Sequence, residues 1–185
     1  MTMFSLAAFV TASSWAQNMK PGLWDVQNKM SSDDPRLAAQ MEMAQQHLAN
    51  LPPEQRKMME AMVAKHAGVT MPTIKDGAMH AKVCMSKELV EQQRFPMPTK
   101  GNCTQQRGPV VNNMMKVSFT CTEPEASGEG EMRFISDKSY AAKVNVTSAA
   151  MGRKQTMTMN ATGNWLGADC GDIQPLQLPP VPSKP

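Results

Sequence analysis

The chain has 185 residues, with 19 Lys/Arg, 16 Asp/Glu, four cysteines and 19 methionines. A formal net charge of +3 with no Lys/Arg cluster excludes the basic stripe that a nucleic-acid binder presents, and the length suits one domain with its own core. Aromatics make up only 5 %, so that core must rely on aliphatic and thioether side chains, of which methionine is the most adaptable.

Residues 1–16 carry no charged side chain and end on the small residues Ser14 and Ala16 before Gln17. That is the pattern of a secretory leader cleaved after residue 16. The run is shorter than the roughly 20 apolar residues that span a bilayer, so no stable membrane anchor is expected. The predicted location is the periplasm or outside the cell. In that oxidising setting Cys84, Cys103, Cys121 and Cys170 are expected to form two disulfides.

A first strand is predicted over 20–30, with Trp24, Val26 and Met30 on one face and Asp25, Gln27 and Lys29 on the other. A helical hairpin follows at about 34–67. Asp33 or Asp34 can cap it, and Pro35 suits the first helical position. Leu37, Met41, Ala44, Leu48 and Leu51 recur at helical spacing, Pro52-Pro53 separates the two helices, and Met58, Met59, Met62, Val63 and His66 share a second stripe. Gly68 is the expected exit. Helices this short are marginal alone, so both are expected to pack on the sheet.

Alternation then predicts strands over 78–85, 103–110, 115–122, 130–136, 139–148 and 155–164, with a short helical turn over 86–93 and a loop at Pro96, Pro98 and Gly101. Turn signals at Asn112-Asn113, 125–130, Asp137-Lys138 and Met151-Gly152 have the spacing of an antiparallel meander. Half-apolar alternation gives such a sheet one wet face. Residues 172–185, with five prolines, form an extended tail, leaving a single domain over 17–171. The predicted fold is α+β: a twisted antiparallel β-sheet or partial barrel with an inserted helical hairpin and two disulfides.

Four cysteines allow three connectivities. If the Asn112-Asn113 turn closes a hairpin, Cys103 and Cys121 fall opposite each other, within disulfide reach. The preferred pairs are therefore Cys103–Cys121 and Cys84–Cys170. A tetrahedral zinc site is disfavoured, since no C-x-x-C pair is present.

Several short stretches together resemble a known family. They are Pro21-Gly22-Leu23-Trp24 with Val26, then Val83-Cys84, Cys103-Thr104 and Cys121-Thr122. Thr156-Met157-Thr158-Met159, Gly163 and Leu166-Gly167-Ala168 before Cys170 complete the set, with Leu51-Pro52-Pro53-Glu54-Gln55-Arg56 in the helical insert. In this order they resemble the domain-of-unknown-function family 3617, small exported proteins of Gram-negative bacteria, from Lys20 to Cys170. The resemblance implies a periplasmic or secreted home and a β-rich fold, and it carries no activity across.

No catalytic constellation emerges from the residues. His47, His66 and His80 lack metal-ligand spacing, and no G-x-S-x-G elbow occurs. Ser127-Gly128-Glu129-Gly130 reads as a loop. Asp169, Asp172, Glu123, Glu125, Glu129 and Glu131 read as solvated carboxylates rather than acid–base or Ca²⁺ ligands. No cofactor, catalytic residue or metal ligand is assigned. The expected function is a non-catalytic binding module for an apolar small ligand or a protein partner, its candidate residues being Met58, Met59, Met62, Met157, Met159 and Trp24. The alternative is Cu(I) binding through those methionines, since thioethers are soft donors. A hydrolytic enzyme ranks third.

Overall fold

Alternating apolar and polar residues build eight strands, and their antiparallel pairing gives one sheet with two unlike faces. The computed structural model describes residues 19–67, 69–92, 102–123, 125–149 and 154–176. The strands are β1 (Gly22–Ser31), β2 (Thr73–Lys75), β3 (Ala78–Met85), β4 (Cys103–Arg107), β5 (Met114–Thr122), β6 (Glu125–Ser136), β7 (Ser139–Ser148) and β8 (Gln155–Gly167). Their spatial order is β2-β3-β1-β8-β7-β6-β5-β4, so β2 and β4 are free edges and the sheet is not closed. Strands β4 to β8 form a meander, and β1 lies between β3 and β8. The helices are α1 (Pro35–Ala49), α2 (Pro53–Ala67) and α3 (Lys87–Glu91).

Turn chemistry fixes the hairpins. Asn112 and Asn113 both adopt positive φ, 49° and 63°, as a two-residue turn matching strand twist requires. Val111 and Met114 exchange both backbone hydrogen bonds across it. Asp76 (φ 52°) and Gly77 (φ 70°) make the equivalent turn between β2 and β3.

The core lies on one face, called the inner face here. Trp24 and Met115 are fully enclosed, with Val83, Met85, Met132, Phe134 and Tyr140 around them. The Trp24 and Tyr140 rings lie 5.7 Å apart, and Trp24 Nε1 donates to the Lys20 carbonyl at 2.9 Å. Met19, Val90 of α3 and Leu176 close this end. Glycines make room for the rings: a Cβ on Gly163 would fall inside the Tyr140 ring, and one on Gly128 inside the Phe119 ring. A Cβ on Gly130 would strike the β7 backbone at Lys143 and Val144, so β6 and β7 approach closely there. The outer face carries Asp25, Gln27, Lys82, Lys116, Glu129, Glu131, Lys143, Asn145, Asn160 and Thr162.

Two disulfides staple the sheet. Cys103 and Cys121 are register partners on β4 and β5, with Cα atoms 4.0 Å apart. Cys84 at the end of β3 bonds Cys170 beyond β8, Cα 5.6 Å apart. The second bond ties β3, on one side of β1, to the chain just beyond β8, on its other side, and Leu176 N–H donates to the Cys84 carbonyl at 2.9 Å beside it. This is the pairing that the hairpin arithmetic favoured.

Other expectations need correction. The helical pair exists, and Asp34 caps α1, accepting from Arg36 N at 2.8 Å with Pro35 next in sequence. It does not cover the apolar face. Of the two long helices, α1 makes the extended strand contact, with the edge strand β2, and it buries Leu37. Met43, Met58 and Met62 stand 61 %, 71 % and 65 % exposed. The physical reason is placement: Glu60 of α2 borders a cavity with Asp25, His80 and Lys82 on the outer side of the sheet, and α2 makes no extended contact with a strand among the described residues, so its methionine stripe has no apolar face to cover. Residues 125–130 are strand rather than turn, since Gly128 and Gly130 serve close approaches inside β6. β4 stops at Arg107, β8 runs on to Gly167, and β2 is an addition. The predicted leader, the 96–101 loop, Gly68, Met151-Gly152 and the end of the tail lie outside the described residues.

Candidate functional site

Residues directly opposite in an antiparallel sheet share a face, so the register sorts the inner side into rows. At the closed end come Val83–Trp24–Trp165, then Ala81–Val26–Gly163–Tyr140–Phe134. The middle row is Met79–Asn28–Ala161–Ala142–Met132–Met115. Beyond it lie Met30–Met159–Val144–Gly130–Val117–Arg107 and Met157–Val146–Gly128–Phe119–Gln105. The first rows are mostly buried. In the last two, Met30, Met157, Met159, Val117, Val146 and Phe119 are only half-buried. Those side chains form the open end of the inner face, and from β1 to β5 these rows carry no charge.

The chain leaves β1 for the helical hairpin at this end. Ser32 Oγ donates to the Thr156 carbonyl at 3.0 Å, fixing the root of α1 against the start of β8. Asn28 is the one polar side chain of the middle row, half-buried between Met79 and Ala161.

The sequence-derived candidates fall in three places. Met157 and Met159 line the open end. Met58, Met59 and Met62 are exposed on α2, whose Glu60 faces the outer side of the sheet. Trp24 is wholly enclosed at the closed end, its indole packed in the core beside the Tyr140 ring, and it offers no surface to a ligand. Met30, register partner of Met159, was read only as a strand residue; its neighbours become visible once β1 is placed beside β8.

Two cavities lie elsewhere. One of about 400 Å³ is bordered by Asp25, Glu60, Thr70, Met71, Thr73, His80 and Lys82. Another of about 670 Å³ lies on the outer face over Lys116, Glu129, Glu131, Lys143 and Asn145. Both carry charged side chains of either sign, and the first is also lined by Met71 and Ala81. Tyr140 is the one described group with a clear shift: burial pushes its phenol well above the ordinary 10.0. Its ring belongs to the core, so this reflects packing rather than proton transfer. Among the described residues no group of three or more His, Cys, Asp or Glu could hold a metal ion, and no helix is long and apolar enough to cross a membrane.

With the open eight-stranded sheet, the PGLW entry at β1 and both disulfides in place, comparison with known proteins agrees. The family described as "Protein of unknown function (DUF3617)" matches residues 19–170. The chain belongs to that family. A relative from Pseudomonas putida, described as an uncharacterized protein in the lpd-3 5′ region, is 34 % identical over 129 residues, covering 69 % of this chain and 85 % of its own length. No solved structure matches.

Proposed function

We propose that this protein is an exported, non-catalytic binding module that takes an apolar small ligand against the open end of its inner sheet face. The observation that carries this reading is the set Met30, Met157, Met159, Val117, Val146 and Phe119: neutral, spread over β1, β8, β7 and, across the glycines Gly128 and Gly130 of β6, β5, and left half-buried. Apolar walls with a few placed amides, here Asn28 and Gln105, suit an apolar ligand, and unbranched thioethers adapt to irregular shapes. Export is supported by the charge-free leader and by cysteines placed for two disulfides. A protein partner is the second occupant of the same surface.

The test is titration of the mature, disulfide-intact protein with the neutral dye Nile red. Met159→Lys places an uncompensated charge in the row and should weaken binding by roughly tenfold or more. Met58→Lys, on the exposed face of α2, should leave it unchanged. Binding that survives Met159→Lys but fails in Met58→Lys moves the site to the helical hairpin and overturns the proposal.

A further inference from the structure

We propose that the open end also holds a soft monovalent metal ion, of the Cu(I) class, on a thioether set centred on Met30. The register puts Met159 directly opposite Met30 on β8, a position whose Cβ atoms lie about 5 Å apart. Met157, two residues along the same strand and on the same face, is a diagonal neighbour of Met30. Met79, opposite Asn28 on β3, is the diagonal neighbour on the other side. Such diagonals are separated by about 7–8 Å, and three rotatable side-chain bonds per methionine let the sulfurs converge across that gap. All four side chains are half-buried, so the sulfurs are sheltered yet reachable.

The donor chemistry selects the ion. Thioethers are soft ligands that favour Cu(I) over Mg²⁺, Ca²⁺ or Mn²⁺. Both disulfides consume all four cysteines, so thioether sulfur is the soft donor left to this chain. A neutral ligand set in an apolar wall leaves the ion's charge uncompensated, which one positive charge tolerates better than two. The Asn28 amide, opposite Met79 and two residues before Met30 on the same face of β1, adds an oxygen dipole beside that set. The exposed methionines Met43, Met58 and Met62 have no such convergence and are excluded from the site.

This inference does not rest on the apolar-ligand reading, and the two fail separately. The experiment uses mature, oxidised protein labelled with ¹³C at the methionine methyls, titrated with Ag(I) as a redox-silent probe and then anaerobically with Cu(I). The methyls of Met30, Met157 and Met159 should shift together at the first equivalent, while those of Met43, Met58 and Met62 stay in place. Met30→Leu conserves volume and costs under about 1.5 kcal/mol of stability, so the variant folds and keeps the apolar wall. It should lose at least the roughly tenfold in metal affinity that removing even an outer-shell partner costs; Met79→Leu, outside the apolar-ligand set, should lose metal affinity with Nile red binding retained. A smaller loss, or first shifts on the helical methionines, overturns the metal site and leaves the ligand site standing. Loss of Nile red binding in Met159→Lys alongside unchanged metal-free spectra tests the other reading alone.

Discussion

Removing the two disulfides one at a time should rank them by the chain each one closes. Cys84–Cys170 closes a separation of 86 residues and Cys103–Cys121 one of 18. Chain entropy then assigns about 4.6 kcal/mol to the first and about 3.2 kcal/mol to the second at 25 °C. Each pair includes one buried cysteine, Cys84 and Cys121, both 5 % exposed, so the packing lost on replacement by alanine is similar and cancels in the comparison. The double variant Cys84→Ala/Cys170→Ala should therefore be the less stable by about 1.4 kcal/mol. For a domain of this size its Tm should fall by about 9–18 °C, against about 6–13 °C for Cys103→Ala/Cys121→Ala. Thermal and urea melts of the oxidised proteins, followed by tryptophan fluorescence, supply the assay. Topology reinforces the order: the long bond fastens β3 to the chain beyond β8, on either side of β1, whereas the short one secures a hairpin at a free edge. Equal losses, or a larger loss at the edge hairpin, would refute the view that the staple around β1 constrains the unfolded chain most.

Two further outcomes separate sterics and ionisation in the core. Gly163→Ala drives a methyl into the Tyr140 ring and should destabilise by about 1–3 kcal/mol, while Gly167→Ala, whose Cβ meets nothing within 4 Å, should change stability by under about 0.5 kcal/mol; thermal melts of the pair decide. Tyr140 is the chain's single tyrosine, so phenolate absorbance reports it alone. Its folded pKa is raised by burial, so the neutral phenol favours the folded state fully below pH 10. That advantage is lost as pH climbs, by up to about 1.4 kcal/mol per unit above the unfolded value. Phenolate should appear with unfolding rather than near pH 10, and Tyr140→Phe should flatten the alkaline fall in stability. A reversible titration near 10 with the fold intact would show the ring to be solvated.

Strands with strict alternation were legible almost to the residue: β3 and β7 have the predicted ends, because Met79, Ala81, Val83 and Met85, or Tyr140, Val144 and Val146, must all face one side. The paired asparagines located the β5 turn, and through it the Cys103–Cys121 bond. What failed was where residue type and role diverge. Gly128 and Gly130 look like loop residues, yet they lie in β6 because a neighbouring ring and the β7 backbone occupy the space of their side chains. Asp76-Gly77 signalled a two-residue hairpin turn that would have exposed β2. The methionine stripe on α2 resembled a packing face, but helix periodicity says nothing about the polarity of the surface opposite, which here is Asp25, His80 and Lys82. Met30 could not be tied to Met159 from local pattern, since their pairing joins the first strand to the last.

The rows of the inner face grade from rigid to adaptable, and that gradient links composition to function. Trp24, Trp165, Tyr140 and Phe134 occupy the two rows nearest the Cys84–Cys170 bond, where Met19, Val90 and Leu176 seal the interior. Trp165 is held there by its Nε1 donating to the Pro21 carbonyl at 3.0 Å, with Lys20 and Lys138 over its ring. A chain with few aromatics has placed most of them where a fixed shape matters, the Tyr140 ring lying against Gly163. From β1 to β5 the rows beyond Asn28 are methionine, valine and glycine, with Phe119 the exception, and all of their larger side chains but Val144 stay half-buried. Core packing alone would favour the opposite choice, since methionine specifies shape poorly and leaves rotamer freedom to be lost. Flexible thioethers at the one end of the inner face that is left open make sense when the surface must close on something that arrives later. Stability and binding should then separate by row, with Gly163 and Cys84 governing the first and Met30 and Met159 the second.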